Sequence, residues 1–288
     1  VIDLHTHSTV SDGSEPPERI CELAAEAGCS AVALTDHDSL AGLRPAAETA
    51  GRVGITLVLG CEVSCTKPAP PPGSGPVSGS VHVLVYFVED APGPLADELA
   101  AMRADRAERN RGLVARLAEL GAGIDYEAMV EQAGGEEGLG RPHFARALVR
   151  AGAAEDIDNA FGRWLAEGRP AYVPKARTSV ARIVQLAEAS GAVAVLAHPL
   201  SLGLEPRALG HLAAELAESG LCGIEAIYGA YGAEERRLLC DIAARAGLVA
   251  TGGSDYHGSF KPGLCVGTGF GDLAVPDDVL EALEARRP

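Results

Sequence analysis

The sequence predicts an α/β fold of parallel strand–helix units, either a barrel or an open sheet, with a helical segment inserted midway. Three observations predict it. Short apolar, β-branched runs alternate with amphipathic stretches along most of the chain. The 288 residues suit one α/β barrel, or a barrel with an insertion. The alternation is interrupted once, between residues 93 and 177, where helical patterns follow one another without a convincing strand.

Seven strands are expected: VIDL at 1–4, AVALT at 31–35, ITLVLGCEVS at 55–64, VHVLVYFV at 81–88, AVAVLA at 192–197, CGIEAI at 222–227 and LVATGG at 248–253. Helical patterns separate most of them. One, PPERICELAAEAG, is expected to start behind Ser14 with Pro16 and Pro17 in its first turn, and to stop at Gly28. Another, EERRLLCDIAARAG, should stop at Gly247. The Pro/Gly/Ser-rich stretch at 67–80 reads as a mobile loop between the third and fourth strands. Residues 1–92 and 178–288 are thus expected to form the barrel in two pieces, and residues 93–177 an inserted helical cap domain. The arginine-rich RADRAERNR at 103–111 reads as a solvated helix face, with one or two of its arginines available to line a channel.

Composition removes several function classes. No run approaches the 18 apolar residues of a membrane span, and no basic-then-apolar N-terminal segment resembles a signal peptide. The net charge of −16 argues against a protein that coats long duplex nucleic acid, so any nucleic-acid substrate should be short or gripped locally. The seven cysteines form no CxxC motif and read as reduced thiols of a cytoplasmic protein. Cys61 and Cys65 flank Glu62 and are weak candidates as ligands.

The polar residues cluster at strand ends. The first strand leads into His5 and His7, whose spacing of two puts both imidazoles on one face of an extended chain, and then into Asp12. The second leads into His37, the third carries Glu62, the fifth ends at His198 and the seventh at Asp255 and His257. His82 lies at the start of the fourth strand and fits less neatly. The sixth, around Glu225, offers no clear candidate. The C-terminal strand ends of a βα barrel converge on one face, so residues 5 to 257 can meet in one cleft. Imidazole and carboxylate donors without a required thiolate suit Mn²⁺, Zn²⁺ or Fe²⁺. So many donors call for two or three ions, with Glu62 able to bridge two of them. His211 reads as an ordinary helix residue.

Taken together, HxH (His5, His7), SDG (Asp12), TDHD (His37), GCEVS (Glu62), the strand residue His82, AHP (His198) and GSDYH (Asp255, His257) resemble the PHP (polymerase and histidinol phosphatase) superfamily of metal-dependent phosphoesterases. The resemblance covers residues 1–92 and about 178–270. It implies a distorted (β/α)7 barrel with a trinuclear metal centre, manganese being the expected metal. His5, His7, Glu62 and Asp255 would hold one ion, Asp12, His37 and His257 a second, and Glu62, His82 and His198 a third. Glu62, Asp12 and His257 are the expected catalytic residues.

The inserted segment narrows the resemblance. GRPHFARALV (140–149) and AYVPK (171–175) are similar to segments of the bacterial PHP enzymes that act as 3′,5′-nucleotide bisphosphate phosphatases and as 5′→3′ exoribonucleases on short 5′-phosphorylated RNA. That similarity implies substrate-phosphate binding by Arg141 and Lys175, with His143 as a further substrate-binding candidate. The residues agree with it: Pro142 suits the first turn of a helix, so Arg141 stands at a helix start whose free N–H groups favour an anion. Histidinol phosphate phosphatase, a metal amidohydrolase and a non-catalytic metal-binding regulatory module are the alternatives.

Overall fold

The computed structural model describes residues 1–132, 135–136, 139–174 and 178–288. Its seven strands are β1 (Ile2–Asp3), β2 (Ala31–Leu34), β3 (Thr56–Cys65), β4 (Val81–Tyr86), β5 (Val193–Leu196), β6 (Gly223–Tyr228) and β7 (Val249–Gly253). They lie side by side in chain order. The ring closes where Leu4 N donates to Gly252 O (3.2 Å) and Asp255 N to His5 O (2.8 Å). The result is a nearly closed seven-stranded α/β barrel.

One strand departs from the predicted parallel arrangement. β4 pairs antiparallel with both β3 and β5, whereas the other neighbouring pairs run parallel. The 15 residues between β3 and β4 therefore need not carry a crossover helix, and the Pro/Gly/Ser-rich stretch is the connection of a long hairpin. Its ends are tied: Lys67 Nζ donates to Ser78 O (3.0 Å) and Ser78 N to Leu202 O (3.0 Å). The reversal also explains His82. The start of an antiparallel strand lies at the same end of the barrel as the finish of its parallel neighbours, and His82 pairs in register with Ser64 near the end of β3.

Strand alternation sorts the side chains. Ala31, Ala33, Val58, Leu84, Tyr86, Val193 and Val195 fill the barrel interior, where the Tyr86 hydroxyl donates to Leu4 O (2.8 Å). Their neighbours Val32, Leu34, Cys61, Val63, Val83, Val85 and Leu196 point outward. They pack under α1 (Pro17–Glu26), α2 (Leu43–Val53), α7 (Val180–Ala189), α8 (Pro206–Glu218) and α9 (Ala233–Ala246). Helix α1 starts at Pro17 without a side-chain cap. Ser14 was the expected start, but its Oγ instead accepts from Ser259 N (2.9 Å). Gly28 and Gly247 follow α1 and α9 with φ of +76° and +67°, the left-handed region that ends a helix.

Between β4 and β5 run α3 (Pro94–Glu119), α4 (Tyr126–Gln132), α5 (Arg141–Arg150), α6 (Ile157–Ala160) and a π-turn at Phe161–Leu165. Helix α3 is 26 residues long, about 39 Å at 1.5 Å per residue, and it serves two cores. Leu95, Leu99 and Met102 pack with the barrel's outer cluster. Leu113 and Leu117 pack with Phe144, Leu148 and Leu165 in a separate cluster. The segment predicted as a cap over 93–177 thus shares its first helix with the barrel. Between the two apolar stretches α3 buries Arg106, Arg109 and Asn110. The chain returns to the barrel where Thr66 N donates to Thr178 O (2.7 Å). The last helix, α10 (Asp278–Glu284), adds Val279 and Leu283 to the inner cluster.

Candidate metal centre and its surroundings

Inward alternation on β3 carries Glu62 to the barrel mouth, and the other eight predicted ligands gather around it. Four donor atoms meet closely. His5 Nε2 lies 3.1 Å from His7 Nε2, 3.3 Å from Glu62 Oε2 and 3.5 Å from Asp255 Oδ1. His7 Nε2 lies 3.2 Å from Glu62 Oε2 and 3.3 Å from Asp255 Oδ1. Donors about 2.0–2.2 Å from a shared ion would stand about 3.3–3.6 Å apart in a tetrahedron, so this set fits a cation. The other oxygen of Glu62 faces a second group: Oε1 is 2.8 Å from His82 Nδ1 and 2.9 Å from His198 Nε2, which are 3.2 Å from each other. Asp12 gathers a third, with His257 Nε2 at 3.2 Å and His37 Nε2 at 3.7 Å. His37 also reaches toward the Glu62 group, with Nδ1 3.1 Å from Oε2. His7 stands close enough to join Asp12, His37 and His257.

Asp12 Oδ1 and His37 Nδ1 are buried and make no well-aligned hydrogen bond among the described residues, although His257 Nε2 and Glu62 Oε2 lie 3.2 Å and 3.1 Å from them. Burying such atoms unsatisfied is costly, and a cation would satisfy both. Thiolates do not contribute: alternation turns Cys61 and Cys65 outward into the apolar cluster, and burial pushes the Cys61 thiol up. Burial opposes ionisation of Glu62, Asp12 and Asp255, yet facing imidazoles, and Lys261 beside Asp255, hold all three well below the usual carboxylate range. Burial disfavours the His7 cation, but Asp255 and Glu62 raise it to about 9. His37 goes the other way, because burial outweighs Glu62 and Asp12 and lowers it to about 3.

A ring of side chains behind the donors holds them in place. Sequence reasoning missed most of it. Glu225, on the strand without a predicted ligand, is fully buried; Oε1 lies 2.8 Å from His5 Nδ1, and Oε2 accepts from His198 N (2.7 Å). The only available signal was a lone charge inside the apolar run CGIEAI. Asp36 of the TDHD segment accepts from Ser8 N (2.8 Å), Ser8 Oγ (2.6 Å) and Ser11 Oγ (2.6 Å), which fixes the loop that presents Asp12. Asp38 accepts from Ser64 N (2.9 Å) and pairs with Arg106. Tyr228 donates to Asp255 Oδ2 (2.5 Å), on which Lys261 also sits. Asp38, His198 and Asp255 have φ of +53°, +26° and +56°, so backbone strain collects around this centre.

Two clefts open from the His37–His82 pair. One, of about 200 Å³, lies under α3 and α5 and is lined by Arg106, Arg109 and Arg141 together with Asp12, Tyr172 and Val173. The face expected to be solvated at 103–111 is so only in part: Arg111 is exposed, but Arg106 and Arg109 are buried and line this cleft, the one or two channel arginines of the sequence reading, and Arg103 donates to Asp38 O (2.8 Å). The other cleft, of about 460 Å³, is lined by Leu200, Ser201, Tyr228, Tyr231 and Lys261. His143 lines neither. Its Nδ1 accepts from Gly140 N (3.2 Å) at the start of α5, and its ring packs edge-on against Phe260. Lys175 lies outside the described residues. His211 is exposed on α8, as expected.

Comparison with known proteins agrees with this geometry. The PHP domain model matches residues 3–133. The chain is 33% identical to a 3′,5′-nucleoside bisphosphate phosphatase of Chromobacterium violaceum, over 92% of this chain and 90% of that one. It is 32% identical to the 5′-3′ exoribonuclease Rnm of Escherichia coli (89% and 85%) and 34% identical to a phosphoribosyl 1,2-cyclic phosphate 1,2-diphosphodiesterase of Eggerthella lenta (90% and 94%). Among solved structures, a Bifidobacterium adolescentis protein assigned as a metal-dependent phosphoesterase superposes with a TM-score of 0.84 at 30% identity, covering 100% of this chain and 96% of that one. A Chromobacterium violaceum protein described as an amidohydrolase, with bound sulfate and no metal, gives 0.85 at 32% (99% and 96%). The chain belongs to the PHP domain family and is a metal-dependent phosphoesterase.

Proposed function

We propose that this chain hydrolyses the 3′-phosphate of nucleoside 3′,5′-bisphosphates to give 5′-mononucleotides, and that the same site releases 5′-mononucleotides from short 5′-phosphorylated RNA. One observation carries the reading. The arginine-lined cleft shares Asp12, His37 and His82 with the donor cluster, so a cationic pocket adjoins the reaction centre. A substrate with two phosphates can then place one at the donors and the other, its 5′-phosphate, beside Arg141. Guanidinium groups suit that task because their fork of donors matches phosphate oxygens. Lys175 is proposed to add a second cation there, on the likeness of AYVPK alone.

His5, His7, Glu62 and Asp255 are proposed to hold one divalent ion, Asp12, His37 and His257 a second, and Glu62, His82 and His198 a third. Manganese is the first choice, with zinc and iron compatible with the same donors. Such ions lower the pKa of bound water and stabilise charge on the attacking and leaving oxygens. The chain's own residues do the rest. Glu62 joins two donor groups through its two oxygens. Glu225 turns the Nε2 of His5 toward the centre by accepting at Nδ1. Tyr228 and Lys261 occupy one oxygen of Asp255 and leave the other facing His5 and His7. His143 is proposed to act indirectly, by capping the start of the helix that presents Arg141. Among the described residues no helix is long and apolar enough to cross a membrane, and all seven thiols are free. The free thiols support a reducing, cytoplasmic setting, and the net charge of −16 supports small nucleotides rather than long duplexes as partners.

The test is phosphate release from adenosine 3′,5′-bisphosphate with added Mn²⁺, the nucleotide product being identified by mass and chromatography. The expected product is 5′-AMP. Release of 3′-AMP, or no turnover by protein that retains its metal, overturns the reading, and histidinol phosphate is then the next substrate. A second reading, cleavage of a cyclic sugar phosphate, is favoured by the 34% identity to the Eggerthella lenta diesterase over nearly its whole length. The same assay with phosphoribosyl 1,2-cyclic phosphate separates the two.

A further inference from the structure

A free bisphosphonucleotide carries its 5′-phosphate, ribose and base on one side of the reacting phosphorus, and the arginine cleft offers Phe161, Tyr172 and Val173 beside Arg141 for that base. With its 3′-phosphorus at the donors, such a substrate ends at that phosphate and sends no group onward into the wider cleft. An RNA does not end there, because its 3′-phosphorus continues through O5′ into a second nucleoside. We propose that the cleft walled by Leu200, Tyr228 and Tyr231 binds that second nucleoside, so that it distinguishes an oligonucleotide from a mononucleotide. The inference rests on the function proposed above and extends it to a subsite.

Position, size and chemistry support the assignment. The cleft opens from the same His37 and His82 that border the arginine pocket, and it includes Glu62, His198 and His257. A group attached to phosphorus at the donors can therefore enter it directly. Its volume of about 460 Å³ exceeds the roughly 200 Å³ of the arginine cleft and falls within the range of about 300–1,000 Å³ typical of small-molecule sites. Its walls are aromatic and apolar. Tyr228 and Tyr231 are half-buried, with ring centroids 4.7 Å apart, and Leu200 adds an apolar surface. Both hydroxyls are committed to the protein, Tyr228 donating to Asp255 and Tyr231 accepting from Leu200 N (2.9 Å). The rings are thus held in place before a ligand arrives. A base can stack on an exposed ring face whatever its identity.

The reaction balances for both substrates. Water oxygen bonds to phosphorus, the P–O3′ bond breaks, and the departing 3′-oxygen takes up a proton. The phosphate leaves free in one case and stays on O5′ of the next nucleoside in the other.

The experiment compares kcat/KM for three substrates that share a 5′-phosphoadenosine. Its 3′-phosphate is terminal in the first, joined to an abasic ribose in the second, and joined to adenosine in the third. The expected wild-type preference for adenosine over abasic ribose is about tenfold, the scale of one base stacked on one aromatic ring. Tyr231→Ala should erase that preference, and Tyr231→Phe, which keeps the ring, should retain it. Equal rates on adenosine and abasic ribose in the wild type overturn the inference. So does a Tyr231→Ala variant that slows all three substrates by one factor. Failure on the terminal bisphosphate alone overturns the earlier reading instead, and failure on all three overturns both.

Discussion

The strand ends and the inserted helices meet at one site, but they reach it by different physics. On the strands, position is dictated by topology. A residue that follows a parallel strand lies at the barrel mouth, and alternation decides whether it faces inward. On α3 and α5, position depends on how a long helix is packed. Arg106 and Arg109 lie at the step where α3 leaves the barrel's apolar cluster and enters its own. The strands therefore supply a rigid, densely wired donor cluster, and the helices supply a cationic wall whose chemistry is separable from it. If that division holds, changes on the strands should stop the reaction, and changes on the helices should alter which substrates are accepted.

The largest effect belongs to Glu62. Its two oxygens face different donor groups, so Glu62→Gln removes charge from both at once. Turnover on every phosphoester should fall by about 10³-fold or more, with less metal retained per chain and an unchanged far-ultraviolet circular dichroism spectrum. Activity within tenfold of wild type would break the assignment of the cluster. Glu225→Gln comes next. It keeps the shape but weakens the hold on His5 Nδ1, and losses of about 10–100-fold in metal affinity are usual for such supporting groups. A metal-binding titration reads this, and excess metal should restore much of the activity. Arg141→Ala tests the helix side. KM for adenosine 3′,5′-bisphosphate should rise about tenfold, while an aryl phosphate with no second phosphate should be nearly indifferent. An equal loss on both would erase the division between strand and helix.

What could be read from the sequence follows the same division. His5, His7, His37, Glu62, His198, Asp255 and His257 were visible because a strand announces itself by its apolar run and its end marks the site. His82 looked misplaced only because an antiparallel strand leaves no trace in its own residues; the reversal lies in the pairing of β4 with β3 and β5. Glu225 was passed over for the opposite reason, since it holds His5 Nδ1 and His198 N from behind the donors rather than facing the site's opening. For 103–111 the sequence allowed one or two channel-lining arginines but could not say which, because charge on a helix says nothing about the surface it meets. Two apolar stretches flanking them, Leu95 to Met102 and Leu113 to Leu117, were the available hint that this helix crosses from one core to another.

The smallest effect sharpens the comparison through protons. Without metal, His7 is raised to about 9 by Asp255 and Glu62 against the cost of burial, so it carries a proton at pH 7.5 that an ordinary imidazole would have lost. A metal ion takes the same lone pair and must displace that proton. Loading metal-free protein at pH 7.5 in weak buffer should therefore release protons, with the His7 contribution fading as the starting pH rises through about 9. His37, lowered to about 3, is already neutral and contributes none. Linkage sets the sign for stability as well. A raised pKa in the folded state stabilises metal-free protein fully below the ordinary value near 6.5, and that stabilisation is lost as pH rises through about 9. The Tm of metal-free protein should thus fall between pH 7 and 9.5 more steeply than that of loaded protein. The Arg141→Ala variant should show the same proton release as wild type, because Arg141 lies on the helix wall and not among the donors that take the metal. A change in release on removing Arg141 would mean that the cationic wall and the donor cluster act as one unit.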